Sequence, residues 1–99
     1  MTWLLACYLA VEACAGVLRP PPRILVRPGA TVACPGLARS GRCHGAYYPA
    51  RKLVVLPLDD ASALAHEYLH HLIGDRRHRD ARWGACPRAC AGIGQKGDK

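Results

Sequence analysis

The stretch AHEYLHHLIG (residues 65–74) contains two histidines four positions apart, and a glutamate directly follows the first of them. Residues four apart lie on one face of an α-helix, with Cβ atoms about 5–6 Å apart, so a helix here lets His66 and His70 reach one metal ion. Zn2+ suits two imidazoles because it accepts nitrogen ligands in a tetrahedral shell. Glu67 lies roughly 100° around the helix, where it can act as a general base towards a zinc-bound water.

The residues around this motif support a helix that ends at about residue 73. Asp59 or Asp60 is the predicted N-cap and Gly74 the predicted stop. The apolar positions of this helix are Leu64, Leu69, Leu72 and Ile73. The alternative is a pair of surface histidines on an ordinary helix. The chain has few glutamates and only five histidines, so a chance match is on the order of one in a few hundred, and we favour the metal site.

Length and charge set the broad class. The 99 residues make one domain with a small core, predicted to span residues 1–90, and residues 91–99 are a predicted flexible tail. No run of about 20 apolar residues is free of charge, so no membrane span is expected. The net charge of +7 suits an acidic partner or nucleic acid, although a high arginine content also follows from genomic base composition.

The N-terminal segment is apolar and is predicted to be a helix over residues 2–17. Its predicted buried face consists of Trp3, Leu4, Cys7, Tyr8, Val11, Cys14, Ala15 and Leu18. A signal peptide is the alternative, because residues 13–15 resemble a signal-peptidase site. However, no Lys or Arg precedes the apolar run and Glu12 interrupts it, so we favour a retained helix and a cytoplasmic location. The protein is secreted if residues 1–15 are a signal peptide.

The remaining chain predicts a small sheet covered by two helices, which is an α+β fold. Three prolines at 20–22 force an extended linker, and residues 23–27 read as a strand. Residues 31–33 extend the sheet, 34–44 form a loop, and 45–56 form a β-hairpin. After the motif helix come a basic turn at 75–79 and a short C-terminal helix at 80–85.

Six cysteines leave two interpretations open. Cys34, Cys43, Cys86 and Cys90 form either disulfides or a second metal site, and their spacing does not match the usual paired knuckles. A Cys34–Cys43 disulfide is favoured in an oxidising compartment. The other two cysteines, at positions 7 and 14, are predicted to be small buried hydrophobes.

The run GAYYPARKLVVLPLDDASALAHEYLHHLIG (residues 45–74) resembles the zincin metallopeptidases. It is similar to the ImmA/IrrE-like and SprT-like families, the latter also through a later histidine, His78, followed by the aromatic Trp83. The resemblance implies a minimal zincin-like domain with zinc on His66 and His70 and with Glu67 as general base. It also implies that a peptide substrate is added to a sheet edge above the metal.

The third zinc ligand departs from several zincin patterns. No glutamate follows Glu67, which excludes families with a downstream glutamate ligand, and a metzincin would need Gly at 73 and His at 76. Three candidates remain: His78, Asp80 and Asp75. We favour His78, because it lies just past the Gly74 turn, with Asp80 next. Asp75 is more plausible as an outer-shell carboxylate or a turn residue.

Two functions follow from these patterns. The first is a zinc-dependent metallopeptidase that hydrolyses peptides or proteins, with His71 as a surface residue. Tyr47 and Tyr48 alternate across the hairpin, so one faces the core, and for the other a packing role is favoured over an oxyanion-binding role in the cleft. The second is a non-catalytic, zinc-stabilised module whose basic surface binds protein or nucleic acid. A degenerate zincin with a closed cleft is a third hypothesis. The sequence carries no signal for oligomeric state.

Overall fold

The computed structural model describes residues 2–35 and 41–93 of the chain. The predicted loop at 34–44 and tail at 91–99 therefore lie partly outside the described residues. The helices are α1 (Thr2–Ala15) and α2 (Leu64–Ile73), and the strands are β1 (Arg23–Arg27), β2 (Val32–Ala33), β3 (Arg42–Cys43), β4 (Ala46–Tyr48) and β5 (Leu53–Pro57). Short 3-10 turns span Pro49–Arg51, Ala81–Gly84 and Cys86–Arg88.

Helix α1 contains no proline or glycine and ends where Gly16 takes a left-handed conformation at φ 72°. The Gly16 N–H donates to the Glu12 carbonyl at 2.8 Å. Helix α1 buries Cys7, Tyr8, Val11 and Ala15, which confirms half of the predicted face, and it also buries Glu12. Trp3 and Leu4 are partly buried, whereas Cys14 is exposed and was wrongly predicted to be buried. The prediction for Leu18 is wrong: it is 85% exposed, because the helix ends before it and the helical periodicity no longer applies.

The three-stranded sheet has the order β1-β5-β4. Strand β1 pairs parallel to β5, and β4 pairs antiparallel to β5 with Tyr48 opposite Leu53, which confirms the hairpin. The hairpin turn closes at Lys52, which is left-handed at φ 48° and donates its N–H to Pro49. Strand β2 does not extend this sheet as predicted, because it pairs with β3 in a separate two-stranded sheet.

Strand β5 is central, and all five of its residues are buried. Val54 and Leu56 face the two helices, and Leu53 and Val55 pack with Val32 on the opposite face. Burial on both faces explains why this strand is a continuous apolar run. The α+β class is confirmed. No helix of residues 2–35 and 41–93 has the length and hydropathy needed to cross a membrane.

All six cysteines form disulfides, which corrects two predictions. Cys7 pairs with Cys90 and Cys14 with Cys86, so the α1 cysteines are not free hydrophobes. The Cys34–Cys43 disulfide is confirmed, and the alternative of a second metal site is wrong because all four of its cysteines are in disulfides. Cys7 and Cys14 are two helical turns apart, so they meet two cysteines of the 3-10 segment side by side. Each of these two long-range bridges stabilises the fold by on the order of 4 kcal/mol through loop-closure entropy.

Candidate metal centre

Helix α2 carries the histidine motif and packs its apolar side against α1 and the sheet. Its N-cap is Ala63, and the described residues give it no side-chain cap, so the predicted Asp59 or Asp60 cap is wrong. Asp60 instead accepts the Ser62 N–H at 2.9 Å and so shapes the turn before the helix. The predicted stop is confirmed: Gly74 is left-handed at φ 68° and donates to the His70 carbonyl.

The structure brings the three predicted histidines together. One ring nitrogen from each of His66, His70 and His78 lies within 4.8 Å of the other two. The Nε2 atoms of His70 and His78 are 3.0 Å apart. His66 and His70 are half-buried and come from one face of α2, whereas His78 is exposed and comes from the turn that follows. This set could hold one metal ion.

His78 reaches the pair because the chain reverses after Gly74. His78 adopts a left-handed conformation at φ 59°, which few non-glycine residues take, and its N–H donates to the Asp75 carbonyl at 3.3 Å. Asp75 organises the rest of this turn: its carboxylate accepts the N–H groups of Arg77 at 3.2 Å and Asp80 at 2.7 Å, and the Trp83 indole N–H at 3.1 Å.

The other two candidates for the third ligand are occupied elsewhere. Asp75 is the turn residue just described, and both its oxygens accept hydrogen bonds from the backbone or from Trp83. Asp80 forms an ion pair with the Arg82 guanidinium at 2.7 Å and accepts the Arg82 N–H. Hydrogen bonds from Arg82 hold the pKa of Asp80 well below its usual range. Of the three candidates, His78 is the one grouped with His66 and His70 by ligand atoms within 4.8 Å of one another in the described part of the chain.

Trp83 covers the histidine cluster, a position that the sequence indicated only through the resemblance to SprT-like proteins. Its ring centroid lies 4.9 Å from that of His66, 4.6 Å from that of His70 and 4.5 Å from that of His78. One aromatic ring thus packs against all three imidazoles and limits their rotation. Asp75 fixes this indole through its N–H, so one carboxylate holds both the histidine turn and its aromatic cover.

The imidazoles of α2 favour their neutral form. Burial, followed by repulsion from the other two histidines, lowers the pKa of His70 to about 4. Burial and then His78 also lower the pKa of His66. Burial has this effect because it disfavours the charged ring. At neutral pH these nitrogens therefore present lone pairs, which is the form that binds metals.

Glu67 lies beside the cluster and is only 6% exposed. Burial raises the pKa of its carboxyl from 4.5 to about 7. The residue depends on a close approach of the backbone at Gly45: a Cβ there would lie 3.2 Å from Glu67 Cγ and 3.0 Å from Ala63 Cβ. A side chain at position 45 would thus crowd Glu67 and Ala63, a close approach that the sequence alone did not reveal.

A cleft of about 590 Å³ runs along the cluster. Strand β4 forms one wall, and the other is formed by Glu67, His70 and the turn after α2. Within the described part of the chain, β4 is an edge of the sheet. The residues that line the cleft are Pro35, Gly45, Ala46, Tyr47, Tyr48, Pro49, Glu67, His70, Gly74, Arg76 and His78.

His71 is not the surface residue that its position suggested, because it is only 2% exposed. Its Nε2 lies 2.7 Å from the Pro20 carbonyl, which can only accept, so Nε2 carries the proton. Tyr47 therefore donates its hydroxyl to Nδ1 at 2.7 Å. The linker of residues 16–22 covers this side of α2, and Arg19 donates to the His71 carbonyl. Burial lowers the pKa of His71.

Both tyrosines line the cleft, and each also packs against a different apolar cluster. Tyr47 packs against the main core and uses its hydroxyl on His71. Tyr48 packs against the smaller cluster around Val32.

The chain was compared with protein-family models, with curated protein sequences and with solved structures, and none of the three comparisons finds a match. The resemblance to the zincins therefore stays a prediction from residues 45–83.

Proposed function

We propose that this protein is a zinc-dependent metallopeptidase with a minimal zincin-like fold. The observation that carries the proposal is the convergence of three imidazole nitrogens within 4.8 Å beside a buried glutamate. Nitrogens bound at 2.0–2.1 Å in a tetrahedral shell are about 3.3 Å apart, so small side-chain rotations of these three histidines suffice. Three protein ligands and one open position are the pattern of catalytic zinc sites.

His66, His70 and His78 would hold the zinc. The ion would supply Lewis-acid activation of a water and of the peptide carbonyl. Glu67 then acts as general base, accepting the water's proton and returning it to the leaving amine. A carboxyl with a pKa near 7 suits both steps, because it can take up and release a proton at neutral pH.

The cleft supports a peptide as the substrate. Strand β4 is a sheet edge that faces Glu67 and His70 across the cleft. An extended peptide that pairs with β4 would add one strand to the sheet and place its backbone beside Glu67. Main-chain pairing of this kind supplies affinity with little dependence on sequence.

The disulfides bear on where this peptidase works. Three disulfides in one small domain are typical of oxidising compartments. They favour a location outside the cytoplasm over the cytoplasmic location that the N-terminal sequence indicated. Two of them involve α1, which favours a retained helix over a cleaved signal peptide.

Metal content and hydrolysis test the proposal together. Wild type purified without added zinc should hold about one zinc per chain by elemental mass spectrometry. His66→Ala and His78→Ala should lose it, whereas the control His44→Ala should keep it, because His44 pairs with Asp60 outside the cluster.

Glu67→Gln separates metal binding from catalysis. It should keep the zinc and lose about 10²–10⁴-fold in peptide hydrolysis, the usual contribution of a general acid–base residue. Full peptidase activity in zinc-loaded Glu67→Gln would show that this mechanism is wrong.

The basic turn favours a second candidate, a zinc-stabilised binding module. Arg76, Arg77 and Arg79 are exposed on the turn after α2, next to the zinc cluster. Such a surface can bind nucleic acid or an acidic protein. Steep loss of DNA affinity with added salt, together with no hydrolysis of any peptide library, would favour this function.

A further inference from the structure

Among the described residues that line the cleft, Arg76 alone carries a permanent positive charge. Its side chain is exposed, and the salt bridges among the described residues involve only His44–Asp60 and Arg82–Asp80. Arg76 also takes part in no side-chain hydrogen bond of the described chain. Its five N–H donors therefore remain available to a ligand in the cleft.

The acidic residues nearest to Arg76 in sequence already bind other groups of the turn. Asp75 accepts hydrogen bonds from Arg77, Asp80 and Trp83. Asp80 is paired with Arg82, which also donates to the Ala15 carbonyl. Both carboxylates thus hold the turn that carries His78.

Of the described residues that line the cleft, one carries a carboxyl, Glu67, and this side chain is buried. The chain as a whole carries a net charge of +7. Arg77 and Arg79 flank the cleft without lining it and add to its positive potential. A cleft whose exposed charged side chain is a guanidinium, in a protein with a positive net charge, attracts anionic ligands.

We propose that Arg76 selects peptides with an aspartate or glutamate side chain close to the bond that is cleaved; this deepens the peptidase proposal and rests on it. Arg76 and Glu67 line the same cleft, so a substrate side chain that reaches Arg76 belongs to a residue near the scissile bond. A guanidinium binds a carboxylate with two parallel hydrogen bonds, whereas a lysine at the same substrate position is repelled.

Charge reversal at Arg76 tests this selection, and Arg77 provides a matched control. Arg77→Glu changes the net charge by the same amount but lies outside the cleft lining. The substrates are fluorogenic peptides that differ only by Glu, Gln or Lys at single positions around the cleaved bond. Wild type should prefer the Glu peptide over the Gln peptide by about fivefold in kcat/KM, the upper range for one exposed ion pair.

Arg76→Glu should reverse the order so that the Lys peptide is cleaved fastest, and Arg76→Gln should remove the preference. Arg77→Glu should keep the order of wild type. Fluorescence anisotropy measures the binding of the Glu, Gln and Lys peptides to Glu67→Gln without turnover, and the Glu peptide should bind most tightly. In the double variant Glu67→Gln/Arg76→Glu, the Lys peptide should bind most tightly.

The outcomes separate the two proposals. Cleavage without a charge preference, or equal effects of Arg76→Glu and Arg77→Glu, would overturn the role of Arg76 and leave the peptidase standing. Absence of cleavage with charge-selective binding that Arg76→Glu reverses would overturn the peptidase and support an acidic ligand in this cleft. Binding that ignores the peptide's charge would overturn the selection in either case.

Discussion

His70 and His71 are consecutive residues of α2, yet the structure uses them in opposite ways. His70 is half-buried, and its Nε2 faces the Nε2 of His78 at 3.0 Å. His71 is almost fully buried, and both its nitrogens bind protein groups, Tyr47 and Pro20. One helical step of about 100° separates a ring whose Nε2 faces another histidine from a ring whose two nitrogens bind a tyrosine and a backbone carbonyl.

The two sides of α2 are also built differently. The turn after the helix, organised by Asp75, forms the His70 side from contacts local in sequence. Distant segments form the His71 side: Arg19 and Pro20 bind it from the linker, and Tyr47 binds it from β4. The His70 side of α2, the ligand face, therefore depends on a few local hydrogen bonds. The His71 side, the supporting face, depends on tertiary packing.

Alanine at position 70 should have the largest effect on metal binding. His70→Ala removes a ligand and should abolish stoichiometric zinc, a greater loss than the 10–100-fold typical of outer-shell changes. The zinc-free variant should unfold at nearly the same urea concentration as zinc-free wild type, because the ring is partly exposed. Retained zinc in His70→Ala would remove the basis for distinguishing the two faces.

Alanine at position 71 should lower the stability of the fold and leave zinc binding intact. His71→Ala leaves a cavity and leaves the Tyr47 hydroxyl and the Pro20 carbonyl without their partner. The expected loss is about 4 kcal/mol of unfolding free energy, measured by urea denaturation. The folded fraction should still bind one zinc, whereas loss of zinc from folded protein would place His71 in the metal site. His44→Ala is the control and should change neither quantity.

Glu67 lies four residues before His71, and its stability effect depends on pH. Its carboxyl ionises near pH 4.5 in the unfolded chain but near 7 in the fold. Between these values the folded state binds more protons, so the contribution of Glu67 to stability falls as the pH rises. In urea denaturation, the unfolding free energy of zinc-free Glu67→Gln should therefore be about 3 kcal/mol higher than that of zinc-free wild type at about pH 8. At about pH 4 the two unfolding free energies should be equal.

The histidines do not disturb this comparison. The lowered pKa values of His66 and His70 give the opposite sign, because the unfolded chain binds more protons below its ordinary histidine pKa. That contribution is the same in Glu67→Gln and in wild type, so it cancels in their difference. Equal stability of the two proteins at about pH 8 would mean that the Glu67 carboxylate is solvated.

Short-range patterns in the sequence were enough to predict much of this molecule. Helical periodicity and a glycine stop located α2. Two apolar runs separated by a proline-containing turn located the hairpin, and spacing alone paired His66 with His70. The pairing of Cys7 with Cys90 could not be predicted, because the two cysteines are 83 residues apart and several connectivities are possible. The burial of His71 was missed for a similar reason, since its cover comes from the linker of residues 16–22.

The candidate site shows the same limit. His78 was favoured from its place after Gly74, but a turn conformation at positive φ leaves little signal in sequence. Gly45 was read only as the start of the hairpin, because its contact with Glu67 exists only once β4 and α2 pack together. The sequence left Asp75 as either an outer-shell carboxylate or a turn residue. The three N–H groups that donate to its carboxylate show that it organises the turn.

Asp75 therefore gives the smallest but most specific test of how the ligand face is built. Asp75→Ala leaves the N–H groups of Arg77, Asp80 and Trp83 without their acceptor, while every proposed ligand remains. Zinc affinity should fall about 10–100-fold, the usual effect of losing an outer-shell carboxylate, in a competition assay with a chelator.

The matched control for Asp75→Ala is Asp59→Ala, which removes an exposed carboxylate before α2 and the same unit of charge. It should leave zinc affinity within about twofold of wild type, since a single exposed charge is largely screened by solvent. Equal losses in the two variants would assign the effect to charge. An unchanged affinity in Asp75→Ala would mean that the backbone of the turn holds His78 in place without this carboxylate, and that the ligand face is more rigid than its hydrogen bonds imply.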